Sequence, residues 1–256
     1  MLRECREALA ARGSTVIHEG VGEAVGREAA GDAAADIVDW RHYPEGEVYD
    51  PASHVQYFYH RHPPHKLAAP DAAGRAEHGH FHLFLGGEGI PAGMAPLLLP
   101  EIAVANAALP RQSAPLKRGG SDEICHLVAI AVNAQGDPIR LFTTNRWVTG
   151  ETWYRAEDVI GMLGRVRFAH SEKPALLNRW IEALVRLFQP EIAVLLRQRD
   201  QVIVDWRWRW PRGNVFDDPR LEIASSFDID IEARIAVAPG AARGARLPSM
   251  AEGWGA

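Results

Sequence analysis

Residues 53–62 read SHVQYFYHRH and residues 78–85 read HGHFHLFL. Both stretches are dense in aromatic and β-favouring residues, and both read as strands. Side chains alternate along a strand, so residues i, i+2 and i+4 share one face. The rule groups His54, Gln56, Phe58, His60 and His62 on the first strand. It groups His78, His80 and His82 on the second, with Phe81 and Leu83 on the other side. If the strands pair across a connection centred near Pro70, His62 lies opposite His78 and His60 opposite His80. The connection itself, PPHKLAAPDAAGRAE, is marked by its prolines and glycine.

Working outward, residues 124–132 and 139–144 are apolar runs separated by NAQGDP, which predicts a β-hairpin. Thr149 reads as the N-cap of a helix over 151–163. Ser171 reads as the cap of the next, with Pro174 in its first turn. That helix carries Leu176, Leu177, Trp180, Leu184, Leu187 and Phe188 as an apolar stripe. Pro190 breaks it and opens another through about Val204. FDIDIEARIAV alternates and predicts one more strand at an edge. Residues 2–12 predict a short amphipathic helix stopped by Gly13, and 20–36 a helix weakened by its glycines. Residues 40–50 read as a turn-rich aromatic loop. Residues 86–122 read as a loop, an interrupted helix and a second loop. The expected fold is α+β: an antiparallel sheet of 53–62, 78–85, 124–132 and 139–144, with helices 151–163 and 174–204 packed on one face. One domain over 1–240 and a flexible tail over 241–256 are expected.

The chain has 256 residues, 47% hydrophobic and 24% charged, which excludes collagen, coiled coil and full disorder. No run approaches the roughly 20 apolar residues of a membrane helix. The N-terminus lacks the apolar stretch of a signal peptide. Two cysteines, Cys5 and Cys125, build no disulfide framework, so a reducing cytoplasm is the expected compartment. The net charge of −5 supplies no general attraction to nucleic acid or membrane, and a small-molecule substrate is the expected partner. Walker, GxGxxG, GxSxG and CxxC patterns are missing, which removes the familiar nucleotide, flavin and serine-hydrolase classes.

Eleven histidines remain to be explained. Several neutral imidazoles on one buried face each need a partner, and several charged ones repel. A shared metal removes both problems. His60, His62, His78, His80, His82 and His126 are therefore the candidate ligands, with Glu77 and Glu123 beside them as carboxylate ligands or outer partners. Imidazole-rich sites suit zinc, iron or copper. Three protein ligands leave a position for water or dioxygen, whereas four or more imply a structural or redox site. Tyr57, Tyr59, Asn145 and Arg146 are candidate catalytic residues at the margin, the last two from the strand end LFTTNRWVTGE. Arg146 could take an anionic substrate bidentately. His18, His42, His65 and His170 read as ordinary single histidines. DWRWRWP alternates Trp206, Trp208 and Trp210 with Arg207 and Arg209, either a Trp face on the sheet with arginines in water or a stacking strip for single-stranded nucleic acid.

HFH followed by EICHLV resembles the α-class carbonic anhydrases over about a dozen residues, which would make His80, His82 and His126 zinc ligands. His80-Phe81-His82 also resembles the HUH endonucleases, which need a nucleophilic tyrosine; Tyr154 is followed by Asp158 where that family often has lysine. Over the middle half of the chain, YPEGEVYD, QYFYHRHPP, EHGHFHLFL and LFTTNRWVTGE resemble an uncharacterised bacterial protein family of unknown function. Three functions stay open: a metalloenzyme activating water or dioxygen, a HUH-type nickase, and a non-catalytic metal-binding or interaction protein.

Overall fold

The computed structural model describes residues 1–21, 37–63, 70, 73–104, 107–109, 111–113, 123–171 and 174–236. Among these, the strands are β1 (Tyr43–Tyr49), β2 (Val55–His60), β3 (Gly79–Gly86), β4 (Leu98–Leu99), β5 (Ile102–Val104), β6 (Ala107–Leu109), β7 (Gln112–Ser113), β8 (Ile124–Val132), β9 (Pro138–Thr144) and β10 (Ile223–Asp228). The helices are α1 (Leu2–Ala10), α2 (Val16–Val21), α3 (Arg146–Thr149), α4 (Ala156–Met162), α5 (Ala175–Leu187), α6 (Gln189–Arg209) and α7 (Ile231–Ala236).

Six strands form one antiparallel sheet in the order β1-β2-β3-β8-β9-β10. The fold is therefore α+β. One face of the sheet carries Tyr57, Tyr59, Phe81, Leu83, Leu85, Cys125, Ile130 and Leu141. These pack with Leu2, Cys5 and Leu9 of α1, Val159 and Met162 of α4, Leu177, Trp180 and Leu184 of α5, and Ile192 and Leu195 of α6. The predicted stripe of α5 is the stripe that meets the sheet. The burial of aromatic rings such as Trp180, Tyr57 and Phe81, each at most 0% exposed, dominates this core.

Several expectations are corrected. Residues 40–50 contain β1, an edge strand; it pairs on one side only, and its register shifts between Tyr43 and Val48. Pro44 and Gly46 are tolerated at such an edge, which is why the stretch resembled a loop. The apolar run in 86–122 forms two short ribbons, β4 with β7 and β5 with β6, instead of a helix. Thr149 does not cap a helix. Asn145 caps α3 through its side chain, Gly150 ends it at φ 66°, and α4 starts only at Ala156. Glu151–Tyr154 between them are buried, as Trp153 and Tyr154 join the core. Pro174, not Ser171, takes the N-cap position of α5. FDIDIEARIAV splits after Asp228, because Asp230 accepts the backbone N–H of Ala233 at 3.0 Å and opens α7. Of the predicted helix over 20–36 only Gly20 and Val21 are described, and they belong to α2; residues 22–36 and the tail 241–256 lie outside the described residues.

Helix α6 also runs past Val204 to Arg209, so DWRWRW follows a period of 3.6 instead of 2. The expected division holds for Trp206, which packs half-buried on a core cluster, and for exposed Arg209, and fails for the other three residues. Arg207 is buried and donates to the carbonyl of Pro100 at 2.5 Å, while Trp208 and Trp210 are exposed.

Candidate metal centre

Because β2 and β3 pair with His60 opposite His80 and Tyr59 opposite Phe81, alternation sends the aromatic pair to the helix side and the imidazoles to the other side. His60, His62 and His80 converge there. One ring nitrogen of each lies within 4.8 Å of the others. The Nε2 atoms of His60 and His80 are 2.6 Å apart. Two imidazole nitrogens at that distance share a proton, one ring donating to the other, and an ion held ~2.0–2.1 Å from each would part them to about 2.9–3.4 Å. The ring centres of the three are 4.5, 4.7 and 4.9 Å apart. A bound ion sits ~2.0–2.1 Å from an imidazole nitrogen, which places rings that share it about 4.5–5.2 Å apart for ligand angles from roughly 90° to tetrahedral. The triad therefore has the dimensions of a metal site.

Glu77 completes this arrangement. Its Oε1 accepts from His80 Nδ1 at 2.6 Å, with both side chains buried. A carboxylate on Nδ1 fixes the ring orientation and leaves Nε2 as the metal-binding atom. The site grades from rim to interior. His60 and His62 retain 8% exposure, His80 3%, and His82 1%. Trp40 packs at a tilt against His62 with ring centres 4.3 Å apart, and His42 stacks on Phe58 at 3.6 Å. Neither contact was legible, because Trp40 and His42 lie ahead of β1, where no strand alternation places them.

Burial pushes the His60 imidazole far below its ordinary range, and His80, His62 and His42 add to the effect. His82 is lowered in the same way, first by burial and then by His80 and His126. For His126, burial and then Arg199 lower the value to about 3. All three rings are thus neutral near pH 7, the form that ligates metals.

His126 reaches this face through a bulge. Leu83 pairs with Val128 and Phe84 with His126, so Leu127 is the extra residue. Without it, strict alternation from Ile130 would turn His126 toward the helices. With it, His126 Nε2 meets His82 Nδ1 at 3.1 Å.

The remaining candidates go elsewhere. His78 precedes β3, and its Nδ1 pairs with the Tyr59 hydroxyl at 2.6 Å. It does not stand in the row with His80 and His82. The expected pairing of His62 with His78 fails because both lie beyond the strand ends. Tyr57 donates to Asn178 Oδ1 of α5 at 2.7 Å. Tyr57 and Tyr59 therefore lie on the helix side, not at the margin of the imidazoles. Asn145 donates to the carbonyl of Val215 at 2.8 Å and accepts from the backbone N–H of Arg146. Arg146 pairs with Asp217. Tyr154 donates to Glu123 Oε1 at 2.6 Å within the core, so neither joins the histidine face as described. His54 is set in a turn at φ 60° and pairs with Tyr49. His65 lies outside the described residues.

Fold and site together define an α+β protein with a buried imidazole cluster able to hold a metal ion on the sheet face away from its helices. The chain belongs to the family described as a domain of unknown function, DUF6969, whose model matches residues 1–229. No curated protein and no solved structure matches it. Among the described residues, no helix is long and apolar enough to cross a membrane.

Proposed function

We propose that the protein is a metal-binding protein that holds one transition metal ion, zinc, copper or iron, at His60, His62 and His80. The observation that carries this reading is the convergence of three buried imidazoles with Glu77 locked onto the outer nitrogen of His80. Neutral imidazoles favour these metals over magnesium or calcium. Two free, buried cysteines accord with a reducing cytoplasmic setting. The chemistry available divides on coordination number. Three protein ligands leave a position at which water or dioxygen is activated, and a fourth protein ligand turns the centre to structural or redox use.

The test is elemental analysis of protein purified without an affinity tag, beside a His62→Ala/His80→Ala variant. About one equivalent of zinc, copper or iron in the parent and none in the variant is the expected result. A parent that binds no ion, even after dialysis against each of the three metals, overturns the reading.

A further inference from the structure

The imidazole row does not end at the triad. His82 follows His80 on the same face of β3, and its ring centre is 4.8 Å from His80 and 5.2 Å from His60. These separations fall in the range that rings sharing an ion show. Both contacts are nearly perpendicular, at 85° and 89°. His82 Nδ1 is engaged by His126 Nε2 at 3.1 Å on the β8 side. The two nitrogens of an imidazole point away from one another, so the remaining Nε2 is directed away from His126 and β8, to the side of the sheet on which β2 lies.

The pattern repeats what Glu77 does for His80. In each case an outer partner occupies Nδ1 and leaves Nε2 as the atom on the inner side of the ring. We propose that His82 is a fourth imidazole ligand of the ion held by His60, His62 and His80, and that His126 is a positioning residue that fixes the His82 ring. The proposal rests on the reading of the triad as a metal site. His82 Nδ1–H donates to the Nε2 lone pair of His126, which carries its own proton on Nδ1. No proton has to leave the row for a divalent ion to enter.

The surroundings argue against His82 as a filler of the core. Its neighbours on this face include Phe58, Phe84 and Phe142. A phenyl ring would fill that place without a polar nitrogen to satisfy. The Leu127 bulge carries His126 to the same face, where it meets His82. The expected centre is therefore four-coordinate and closed to water.

The experiment uses cobalt(II) as the probe. The parent, His80→Ala, His82→Phe and His126→Phe are loaded, and binding is followed by the visible band that intensifies in tetrahedral cobalt. X-ray absorption of the parent counts its imidazole ligands. The expected result is four imidazoles in the parent. His82→Phe should still bind one equivalent, with affinity at least tenfold lower and a weakened band. His126→Phe should fall between the two. Three imidazoles in the parent, or a His82→Phe protein with parental spectrum and affinity, overturns the proposal and restores an open position to the triad. If the parent binds no cobalt, the metal reading fails and takes this one with it. The imidazole count needs no variant to fold.

Discussion

Glu77 holds the chemistry of His80 in place, because a carboxylate 2.6 Å from Nδ1 decides which nitrogen is offered to an ion. Glu77→Gln is expected to weaken metal affinity about 10–100-fold while leaving the circular dichroism spectrum intact. Competition against a chromophoric chelator measures the change. Gly79 sets a different limit. A Cβ there would stand 2.6 Å from the His60 carbonyl oxygen and against the Tyr59 phenol. Gly79→Ala should cost about 1–3 kcal/mol of stability through overpacking, read from the urea midpoint. His126 carries a pH signature. Its value falls from 6.5 to about 3 in the fold, so the unfolded chain binds the proton first. The contribution to stability is full above 6.5 and is lost as pH falls from there toward 3. Each such histidine adds a slope approaching ~1.4 kcal/mol per pH unit within its window. Denaturation curves at a series of pH values should be less steep in pH for His126→Phe than for the parent.

At the level of elements, Asp50 joins the sheet to the helical layer. Its carboxylate accepts backbone N–H groups of Ala52 and Ser53 beside β2, and of His170 and Ser171 ahead of α5, at 2.6–3.0 Å. Burial raises its pKa, but those four bonds outweigh burial and bring it from 3.8 to about 2. Stability from Asp50 is therefore complete above 3.8 and is lost as pH drops through 2. Asp50→Ala should cost on the order of 3 kcal/mol, because four donors lose a charged acceptor. Asp50→Asn should cost less, and calorimetry separates the two. The elements that sequence alone revealed were those with a clean period. HGHFHLFL alternates without interruption, and the pairing of His60 with His80 followed from it. The stripe of α5 was equally plain. The misreadings have local causes. β1 hides behind Pro44 and Gly46 at an edge that needs only one partner. DWRWRW alternates like a strand but continues α6, whose long helix overrides the local pattern. Convergence at the site was legible as parity along two strands. The absence of Tyr57 and Tyr59 from it was legible too, since odd positions oppose even ones. Two further placements were not. A bulge shifts His126 by one residue, and His78 falls outside the strand, where alternation no longer applies.

For the whole molecule, a bound ion links folding to metal concentration. At about 100 times its dissociation constant an ion adds roughly 2.7 kcal/mol. That corresponds to ~5–10 °C in melting temperature for a chain of this size. Thermal melts with and without a chelator should show the gap in the parent and none in His80→Ala. The sheet that makes this possible carries two alphabets in alternate letters. In β2 and β3, phenol and hydrocarbon face the helices at every other position, and His60, His80 and His82 face away with Gln56, Phe58 and Phe84. Gaining or losing one codon inside 55–60 or 79–86 would exchange the two alphabets beyond that point. Imidazoles would enter the hydrocarbon layer just as aromatic rings replaced the ligands. A change of length by one residue in these strands therefore alters the hydrophobic layer and the imidazole face together.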